Sequence, residues 1–428
     1  RQMCIRDRVK IVHQIGRELV CRGHQVTVYC TNLLDKRSKL RTGTFERRTF
    51  ERWVDGMRVV YFDTWCLPWW PGTLGPFWSP HLPGYVRREI AGFDLVHLHG
   101  SRSFMLLPVV HGARKAGIPF VMQPHGTLPV VSRGTRDPAT SWPLGKQLYD
   151  WLLGGQELKG LCALIALQES ERQQALTRGI PDHLVEIIPN GLDLSPGQHG
   201  AVPSRGSGYP KPGSFRHRHN IPSDKPLILF LGRINGIKGV DMLVEAFAQM
   251  VGRPAGSRAR PHDLDLSPGP HGLDAHLAIA GPDDGQLGRV QQLIRQHSLG
   301  DRVVLPGLLP ESEVMAAYRD ADLFALPSRS DTFPTAIMEA CLAGTPMVVT
   351  DRCEIAHLVR DRVADVVPFD PGAFAQAMER LLTDGERYQR YVENCEDVMR
   401  DSFSLEATVD RLERVYERVV EERCQATM

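Results

Sequence analysis

The sequence has almost no net charge and no long apolar run. Lys and Arg total 51 residues against 50 Asp and Glu, so the formal charge is only +1. Such a chain generates no overall field that attracts nucleic acid or an anionic surface, and we predict that nucleic acid is not a partner. No apolar stretch reaches the roughly 20 residues that a membrane-spanning helix requires. Any membrane contact is therefore predicted to be peripheral.

The cysteines form no Cys-x-x-Cys pair. All nine are spread between Cys4 and Cys424, and an odd number cannot be fully paired within one chain. Free thiols are typical of a reducing compartment. We therefore predict a cytoplasmic protein, with membrane association limited to peripheral contact.

The length and the residue pattern predict two α/β domains. At 428 residues the chain exceeds what one hydrophobic core usually organises. Segments with helical periodicity alternate with short apolar segments, which is typical of parallel sheets covered by helices. Strands are predicted at residues 25–31, 94–98, 119–123, 161–167, 185–188, 226–231, 276–280, 302–305, 323–326 and 347–349. Helices are predicted at residues 9–21, 104–116, 240–250, 335–343 and 405–422.

A change of composition predicts the domain boundary. Residues 195–218 are crowded with Gly, Pro, Ser, His and basic side chains, which cannot bury enough apolar surface to order themselves. We predict an N-terminal domain at residues 1–205, a C-terminal domain at 206–400 and a closing helical segment at 401–428.

Residues 230–239 form the strongest local motif. A buried strand opens into a glycine-containing turn that carries Arg233 and Lys238 ahead of a helix. Glycine lets backbone N–H groups approach phosphate oxygens, and the helix N-terminus adds partial positive charge. Arg binds phosphate through paired hydrogen bonds and Lys binds it as a point charge. The turn is a candidate diphosphate site; the alternative is a solvated turn with two ordinary surface cations.

A second motif places two acidic residues eight positions apart. Asp331 lies in a loop whose backbone amides can meet an anion, and Glu339 lies about one turn inside the following helix. A carboxylate at that place can accept hydrogen bonds from sugar hydroxyls. Taken alone, Glu339 reads as a surface helix residue.

The order of these motifs resembles that of the family 4 retaining glycosyltransferases, which have the GT-B fold. The resemblance covers about residues 9–420 and includes segments 189–193, 232–239, 280–285 and 331–339. It implies two Rossmann-like domains that face each other across a cleft. It also implies a nucleotide-sugar donor bound mainly to the C-terminal domain, and a last helix that returns to the N-terminal domain.

The resemblance also implies roles for individual residues. Arg233 and Lys238 would bind the donor diphosphate, and Glu339 the ribose hydroxyls. Asp331 would face the transferred sugar. The family usually has Glu there, so the shorter Asp leaves the identity of the accepted sugar undetermined. Leu308 would lie along the nucleobase. The donor-binding residues implied in this way are Asn190, Gly281, Leu308, Asp331, Thr332, Phe333, Pro334, Thr335 and Glu339.

His125 follows a predicted strand of the first domain, at the edge where ligands of open α/β sheets bind. Without the resemblance, His125 is interpreted as a loop histidine whose hydrogen bonds serve only the local structure. The resemblance implies a catalytic position close to the donor sugar and the acceptor. His97 and His99 end another strand without an evident third ligand, so no metal site is predicted.

The resemblance implies a metal-independent, retaining hexosyltransferase without a cofactor. Its donor would be a nucleotide diphosphate sugar and its acceptor a sugar or a lipid-linked molecule, in polysaccharide or glycolipid biosynthesis. Two alternatives stay open: a catalytically inactive nucleotide-sugar binding protein, and a nucleotide-sugar epimerase of the same fold. The sequence shows no acid–base pair placed for epimerisation.

Three further segments carry expectations. Residues 1–8 hold four charges, no glycine and no apolar run, whereas the family begins with a central strand and a glycine-rich turn. We therefore expect an N-terminally incomplete copy that lacks this first strand. The aromatic residues of 65–78 predict either an acceptor-binding or lipid-facing surface or a packed loop. The Asp-x-Asp sequence at residues 263–265 is interpreted as part of a solvated loop.

Overall fold

The computed structural model of the chain describes residues 7–32, 49–64, 78–101, 103–128, 153, 155–193, 213–252 and 272–427. The chain divides into two compact units, one formed by Met3–Gly191 with Leu405–Met428 and the other by Leu192–Ser404. The predicted boundaries were residues 205 and 400, whereas the chain divides earlier at the first of them, after Gly191, and slightly later at the second, after Ser404. The two ends of the second unit meet where the N–H of Leu192 donates to the carbonyl oxygen of Phe403 at 2.9 Å. Residue segments 65–77, 195–212 and 263–265, which carried sequence predictions, lie outside the described residues.

In the described ranges of the first unit, the strands form two sheets. Its strands are β1 (Thr27–Thr31), β2 (Phe50–Val54), β3 (Met57–Phe62), β4 (Val96–His99), β5 (Phe120–Gln123), β6 (Ala163–Ala166) and β7 (Val185–Ile187). The smaller sheet has the order β1-β3-β2, with β2 antiparallel to β3. The larger sheet has the order β4-β5-β6-β7, and all its pairs are parallel. Parallel strands carry their carboxyl ends to one edge, and this places the loops after β4 and β5 side by side.

The helices of the first unit pack against its sheets and against one another. They are α1 (Asp7–Cys21), α2 (Leu82–Glu89), α3 (Leu106–Ala116), α4 (Gly155–Leu158) and α5 (Glu169–Thr177). Helix α1 lies beside β3 of the smaller sheet. Val86 of α2 and Val110 of α3 pack with Met122 of β5 and Leu164 of β6 in one apolar cluster. The helices therefore bury the apolar residues that the sheet presents on its faces.

The second unit is built on one six-stranded parallel sheet. Its strands are β8 (Leu227–Leu231), β9 (His276–Ala280), β10 (Val303–Gly307), β11 (Leu323–Leu326), β12 (Met347–Thr350) and β13 (Ala364–Val367), in the order β10-β9-β8-β11-β12-β13. Its helices are α6 (Ser214–Arg218), α7 (Val240–Val251), α8 (Leu287–Gln296), α9 (Glu311–Asp320), α10 (Thr335–Ala343), α11 (Ala356–Val359), α12 (Pro371–Thr383) and α13 (Gly385–Phe403). Leu227 to Phe230 are fully buried, as expected for a central parallel strand.

The last helix, α14 (Leu405–Thr427), belongs to the first unit and packs against α1. Arg22 at the end of α1 donates to Asp410 and Glu413 of α14, each at 2.6 Å. Arg423 near the far end of α14 donates to the carbonyl oxygen of Gly117 at 2.8 Å. These contacts join the two ends of the described chain within one unit.

The predicted α/β class with parallel sheets is confirmed. Strands β9 and β11 and helix α10 have the predicted bounds, and β10 extends to Gly307 instead of ending at residue 305. Strands β2, β3 and β13 are absent from the prediction. No helix in the described ranges is long and apolar enough to cross a bilayer.

Candidate functional site

The candidate site of the second unit lies at the carboxyl edge of its sheet. Strand β8 lies between β9 and β11, so the loops that begin at Gly232, Gly281 and Pro327 are neighbours. Edges of this kind are where open α/β sheets bind ligands. The sequence motifs at 230–239, 280–285 and 327–339 are thereby brought together, although they are separated along the chain.

Two glycines allow these loops to touch through their backbones. Gly281 has φ of +142°, and a Cβ atom there would lie 1.8 Å from the carbonyl oxygen of Gly232. Gly239 has φ of +65°, and a Cβ atom there would lie 2.0 Å from the carbonyl oxygen of Pro327. Any larger residue would push the loops apart, so both positions require glycine.

Replacing Gly281 by alanine is expected to lower the free energy of unfolding by at least about 2 kcal/mol, because the methyl group would overlap backbone and the φ value is unfavourable for other residues. Chemical denaturation of the second unit would measure this. Gly288→Ala in α8 is the matched control, since a Cβ there meets nothing within 4 Å. The control is expected to be neutral or to stabilise the protein by up to about 1 kcal/mol. Equal stabilities of the two variants would contradict the close approach of the loops.

Arg233 is held at the edge by an acidic partner. Its Nη1 donates to Asp284 at 2.7 Å, and its side chain is 61% exposed. Asn235 donates to the same Asp284 carboxylate oxygen at 3.1 Å. The guanidinium is therefore oriented by one hydrogen bond while most of its surface stays open to solvent. Asp284 was not singled out from the sequence, although it lies inside the motif at 280–285.

Lys238 forms an ion pair with Asp331. Their side chains are 17% and 15% exposed, and Ser328 also donates to the Asp331 carboxylate at 3.4 Å. The backbone N–H of Lys238 donates to the side-chain oxygen of Asn235 at 3.0 Å. The Asp331 carboxylate, which the resemblance assigns to the transferred sugar, is directed in this structure at the Lys238 ammonium.

Arg329 joins the two loops that carry Lys238 and Asp331. Its N–H donates to the carbonyl oxygen of Ile237 at 2.7 Å, and its guanidinium pairs with Asp241 of α7 at 2.7 Å. The same guanidinium lies 4.8 Å from the centre of the Phe369 ring. Two loops fixed to each other in this way hold their charged groups at a constant separation. No motif in the sequence indicated this role of Arg329.

The start of α10 lies directly after Asp331. Phe333, Pro334 and Thr335 are buried, whereas Thr332 is half-buried. The Phe333 ring meets the Phe403 ring edge-on, with 6.0 Å between centroids. Glu339 is half-buried and accepts from the Tyr318 hydroxyl at 3.2 Å. The helix N-terminus and the Glu339 carboxylate thus belong to the same loop-and-helix segment, as predicted from the spacing.

Leu308 follows β10, and its side chain is exposed. The preceding Gly307 has φ of +73° and accepts from the N–H of Gly281 at 2.7 Å. The segment predicted to lie along the nucleobase is therefore hydrogen-bonded, through Gly281, to the loop that follows β9.

His125 lies in the first unit, just after β5. It has φ of 52°, in the left-handed region that residues other than glycine rarely adopt. Its Nε2 is 2.9 Å from Nδ1 of His99. Asn190 also belongs to the first unit, where its side-chain oxygen accepts from Gln123 at 3.4 Å.

His97 neighbours this pair. Its ring centroid lies 4.1 Å from that of His99, and its Nδ1 lies 2.7 Å from the Tyr416 hydroxyl of α14. Burial, together with the nearby rings of His99 and His125, holds the pKa of His97 well below its usual value. The ring is therefore neutral in the native protein near neutral pH.

This histidine makes the stability pH-dependent in a defined direction. In the unfolded chain His97 titrates near pH 6.5, so below that pH the unfolded state binds a proton that the native state does not. The free energy of unfolding is expected to fall as the pH decreases from about 6.5, by up to about 1.4 kcal/mol per pH unit for this one group.

Thermal unfolding at pH 7.5, 6.5 and 5.5 would measure the effect. His97→Asn should lose less stability than the wild type between pH 6.5 and 5.5, because the titrating ring is gone. The exposed His111→Gln is the control, and it should follow the wild type. Parallel losses in all three proteins would contradict the assignment to His97.

In the parts of the chain that the structure describes, no group of three His, Cys, Asp or Glu residues is arranged to hold a metal ion. Arg233 and Lys238 are the predicted cations of the site, and the guanidinium of Arg329 lies beside them. Among the residues that the sequence did not indicate are Asp284, Ser328, Arg329, Tyr318 and Tyr416, each of which contacts a predicted site residue or its neighbour.

Comparison with known proteins identifies the family. Residues 213–398 match the model described as Glycosyl transferases group 1, and residues 9–196 match that of Glycosyltransferase Family 4. An alpha-D-kanosaminyltransferase of Streptomyces kanamyceticus is 25% identical over 360 residues, which are 82% of this chain and 83% of that protein. A D-inositol 3-phosphate glycosyltransferase of Frankia alni is 28% identical over 382 residues, or 87% and 84% of the two chains.

Solved structures show the same fold. Sucrose-phosphate synthase from Thermosynechococcus elongatus superposes with a TM-score of 0.67 at 19% identity, covering 96% of this chain and 93% of that one. HepE of Anabaena, in complex with UDP and glucose, superposes with a TM-score of 0.68 at 16% identity, covering 98% of each chain. These proteins are GT-B glycosyltransferases. The two family models match successive parts of the chain, residues 9–196 and 213–398. The chain therefore belongs to the family 4, group 1 glycosyltransferases.

Proposed function

We propose that this protein transfers a sugar from a nucleotide diphosphate sugar to an acceptor hydroxyl, with retention of configuration at the anomeric carbon. The observation that supports this most is the pair of cations, Arg233 and Lys238, at the carboxyl edge of the sheet in the second unit. Gly239 and Gly281 let the loops at this edge approach each other closely. Helix α7 begins at Val240, directly after Gly239. The partial positive charge of its N-terminus adds to the charges of Arg233 and Lys238. Membership of the family supplies the reaction class.

The chemistry needs stabilisation of the leaving group. The bond between the anomeric carbon and the phosphate oxygen breaks, and its electron pair stays on the diphosphate. Preorganised cations stabilise this charge without having to reorganise during the reaction. The acceptor oxygen forms the new bond on the face that the diphosphate leaves, and the acceptor proton passes to the departing phosphate oxygen. In this scheme the protein needs no nucleophile.

We propose that neither a divalent metal nor a cofactor takes part, because the two side-chain cations supply the positive charge that the leaving group requires. Transfer rates should then be equal in EDTA and in magnesium. A rate that depends on added metal would remove this part of the proposal while leaving the transfer reaction intact.

The remaining predicted residues have roles in binding. We propose that Glu339 accepts hydrogen bonds from the ribose hydroxyls, that Leu308 contacts the base, and that the backbone of residues 332–335 and Gly281 contacts the donor. In the first unit, we propose that Asn190 takes part in donor binding and that His125 is a catalytic residue that contacts the transferred sugar. These roles follow the family resemblance and the position of each residue at the carboxyl edge of its own sheet.

The comparisons suggest which substrates to try first. HepE was solved with UDP and glucose, and several relatives are D-inositol 3-phosphate glycosyltransferases. We therefore propose UDP-glucose as the first donor and D-inositol 3-phosphate as the first acceptor. Lipid-linked sugars form a second acceptor set, consistent with a role in polysaccharide or glycolipid synthesis and with peripheral membrane contact.

A donor panel tests the proposal. Thermal unfolding with each nucleotide sugar should reveal the donor, because a ligand at about 100 times its Kd adds roughly 2.7 kcal/mol. Mass spectrometry should then detect glycosylated acceptor, and proton NMR should show the anomeric configuration of the donor in the product. Isomerised nucleotide sugar without acceptor would indicate an epimerase, and binding without any turnover an inactive binding protein. Either result would overturn the proposed transfer reaction.

A further inference from the structure

The first unit aligns three imidazole rings. His97 and His99 are two residues apart on β4, so their side chains lie on the same face of the strand. The centroids of His97 and His99 are 4.1 Å apart, and those of His99 and His125 are 5.2 Å apart. The His99 ring therefore occupies the space between a buried histidine and His125.

The backbone around His125 is fixed independently of its ring. Gly126 also has positive φ, 73°, and its N–H donates to Glu171 at 2.6 Å. Glu171 is fully buried, and its other carboxylate oxygen accepts from the N–H of Leu167 at 2.8 Å. A loop held in a rarely populated conformation by a buried carboxylate is a preorganised element, since the strain persists only when its surroundings enforce it.

The hydrogen bond between the rings of His99 and His125 couples the protonation of these two side chains. A neutral imidazole donates from one nitrogen and accepts at the other. If His99 donates, the proton of His125 is on Nδ1; if His99 accepts, it is on Nε2. In both cases the contact selects one tautomer of His125 and limits rotation of its ring.

We propose that His99 is a positioning residue that sets the tautomer and the ring orientation of His125. The His97 ring packs against His99 from the other side and is itself held by Tyr416 of α14. The C-terminal helix thereby contributes to the orientation of a residue 291 positions earlier in the chain. This inference rests on the proposed function insofar as His125 acts on the transferred sugar.

Two substitutions of His99 test the hydrogen bond. His99→Leu removes the hydrogen-bonding atom, and kcat is expected to fall about tenfold, the effect of losing one hydrogen bond of ordinary strength. His99→Asn keeps a polar atom close to the place of Nδ1 and should recover most of the loss. KM for the donor and the affinity for free nucleotide diphosphate should change less than twofold in both. His111→Asn, on the exposed side of α3, is the control and should leave kcat unchanged.

A double-mutant cycle separates positioning from a purely structural role. In a His125→Ala background, His99→Leu should have no further effect on kcat, because the residue that it orients is absent. Equal losses in His99→Leu and His99→Asn, or a full additional loss in the His125→Ala background, would overturn the proposal. So would wild-type kcat in His99→Leu.

Histidine NMR gives a readout that needs no substrate. Spectra of protein labelled with ¹⁵N in histidine should show a single His125 tautomer in the wild type and a mixture in His99→Leu. If the wild type transfers no sugar, the proposed function fails, yet this measurement still decides the inference about His99. A His125 tautomer that is identical in both proteins would overturn it.

Discussion

Arg233→Ala is expected to lower kcat by roughly 10² to 10³, the usual effect of removing one preorganised charged donor from a site where negative charge develops. Arg233 combines the two properties that this role requires. It is oriented by Asp284 at 2.7 Å, and its side chain is still 61% exposed to an incoming ligand. Steady-state transfer from the donor, with correct folding checked by circular dichroism, would measure the effect.

Two further variants sharpen the test. Arg233→Lys keeps the positive charge and loses the planar fork, so it should show an intermediate loss. Arg289→Ala removes an exposed arginine of α8 that donates to Gln292 at 3.3 Å, and it should retain wild-type kcat. Undiminished turnover in a folded Arg233→Ala protein would remove this residue from the mechanism.

Lys238→Ala should reduce kcat by a similar factor of roughly 10² to 10³, and it should also destabilise the second unit. The second effect arises because Asp331, 15% exposed, would lose its cation and, among the residues that the structure describes, keep Ser328 as a side-chain donor to its carboxylate. Leaving a poorly solvated carboxylate without its charged partner lowers the free energy of unfolding by about 1 to 3 kcal/mol. Transfer assays and denaturation of the same variant would measure both.

The double variant Lys238→Ala with Asp331→Asn separates the two effects. It removes the uncompensated charge, so stability should return toward the wild-type value while turnover stays low. Lys225→Ala is the control: Lys225 pairs with Asp274 at 2.8 Å at the surface, and turnover should be unchanged. Recovery of turnover in the double variant would show that Lys238 does not act on the leaving group.

The pairing of Lys238 with Asp331 also bears on sugar choice. The family usually has the longer Glu at this position, whereas the Asp331 carboxylate is held by Lys238 and Ser328. If the carboxylate contacts the sugar as well, it does so from a position that this ion pair determines. If Asp331 has the sugar-facing role that we propose, we therefore expect the choice of sugar to depend on Lys238 as well as on Asp331.

Much of the fold was predictable because it depends on local patterns. Short apolar segments indicated β9 and β11 with their bounds, and helical periodicity indicated α10, since burial and backbone preference act over a few residues. The glycine-containing turn at residues 232–239 likewise predicted a diphosphate site, because glycine lets backbone N–H groups approach phosphate oxygens, and this stays a prediction. Strand β2 was missed: it has an exposed centre, and so its side chains form no clear alternating pattern.

The sequence by itself determined the α/β class, the order of the motifs and the residue types available at each loop. Only the tertiary structure decided which charged groups meet: Arg233 with Asp284, 51 residues away, and Lys238 with Asp331, 93 residues away. The same holds for His97 and Tyr416, which are 319 residues apart. For the two ion pairs the physical reason is the strand order, because the placement of β8 between β9 and β11 sets which loops are neighbours; for His97 and Tyr416 it is the packing of α14 within the first unit. Periodicity along the chain carries no information about that order.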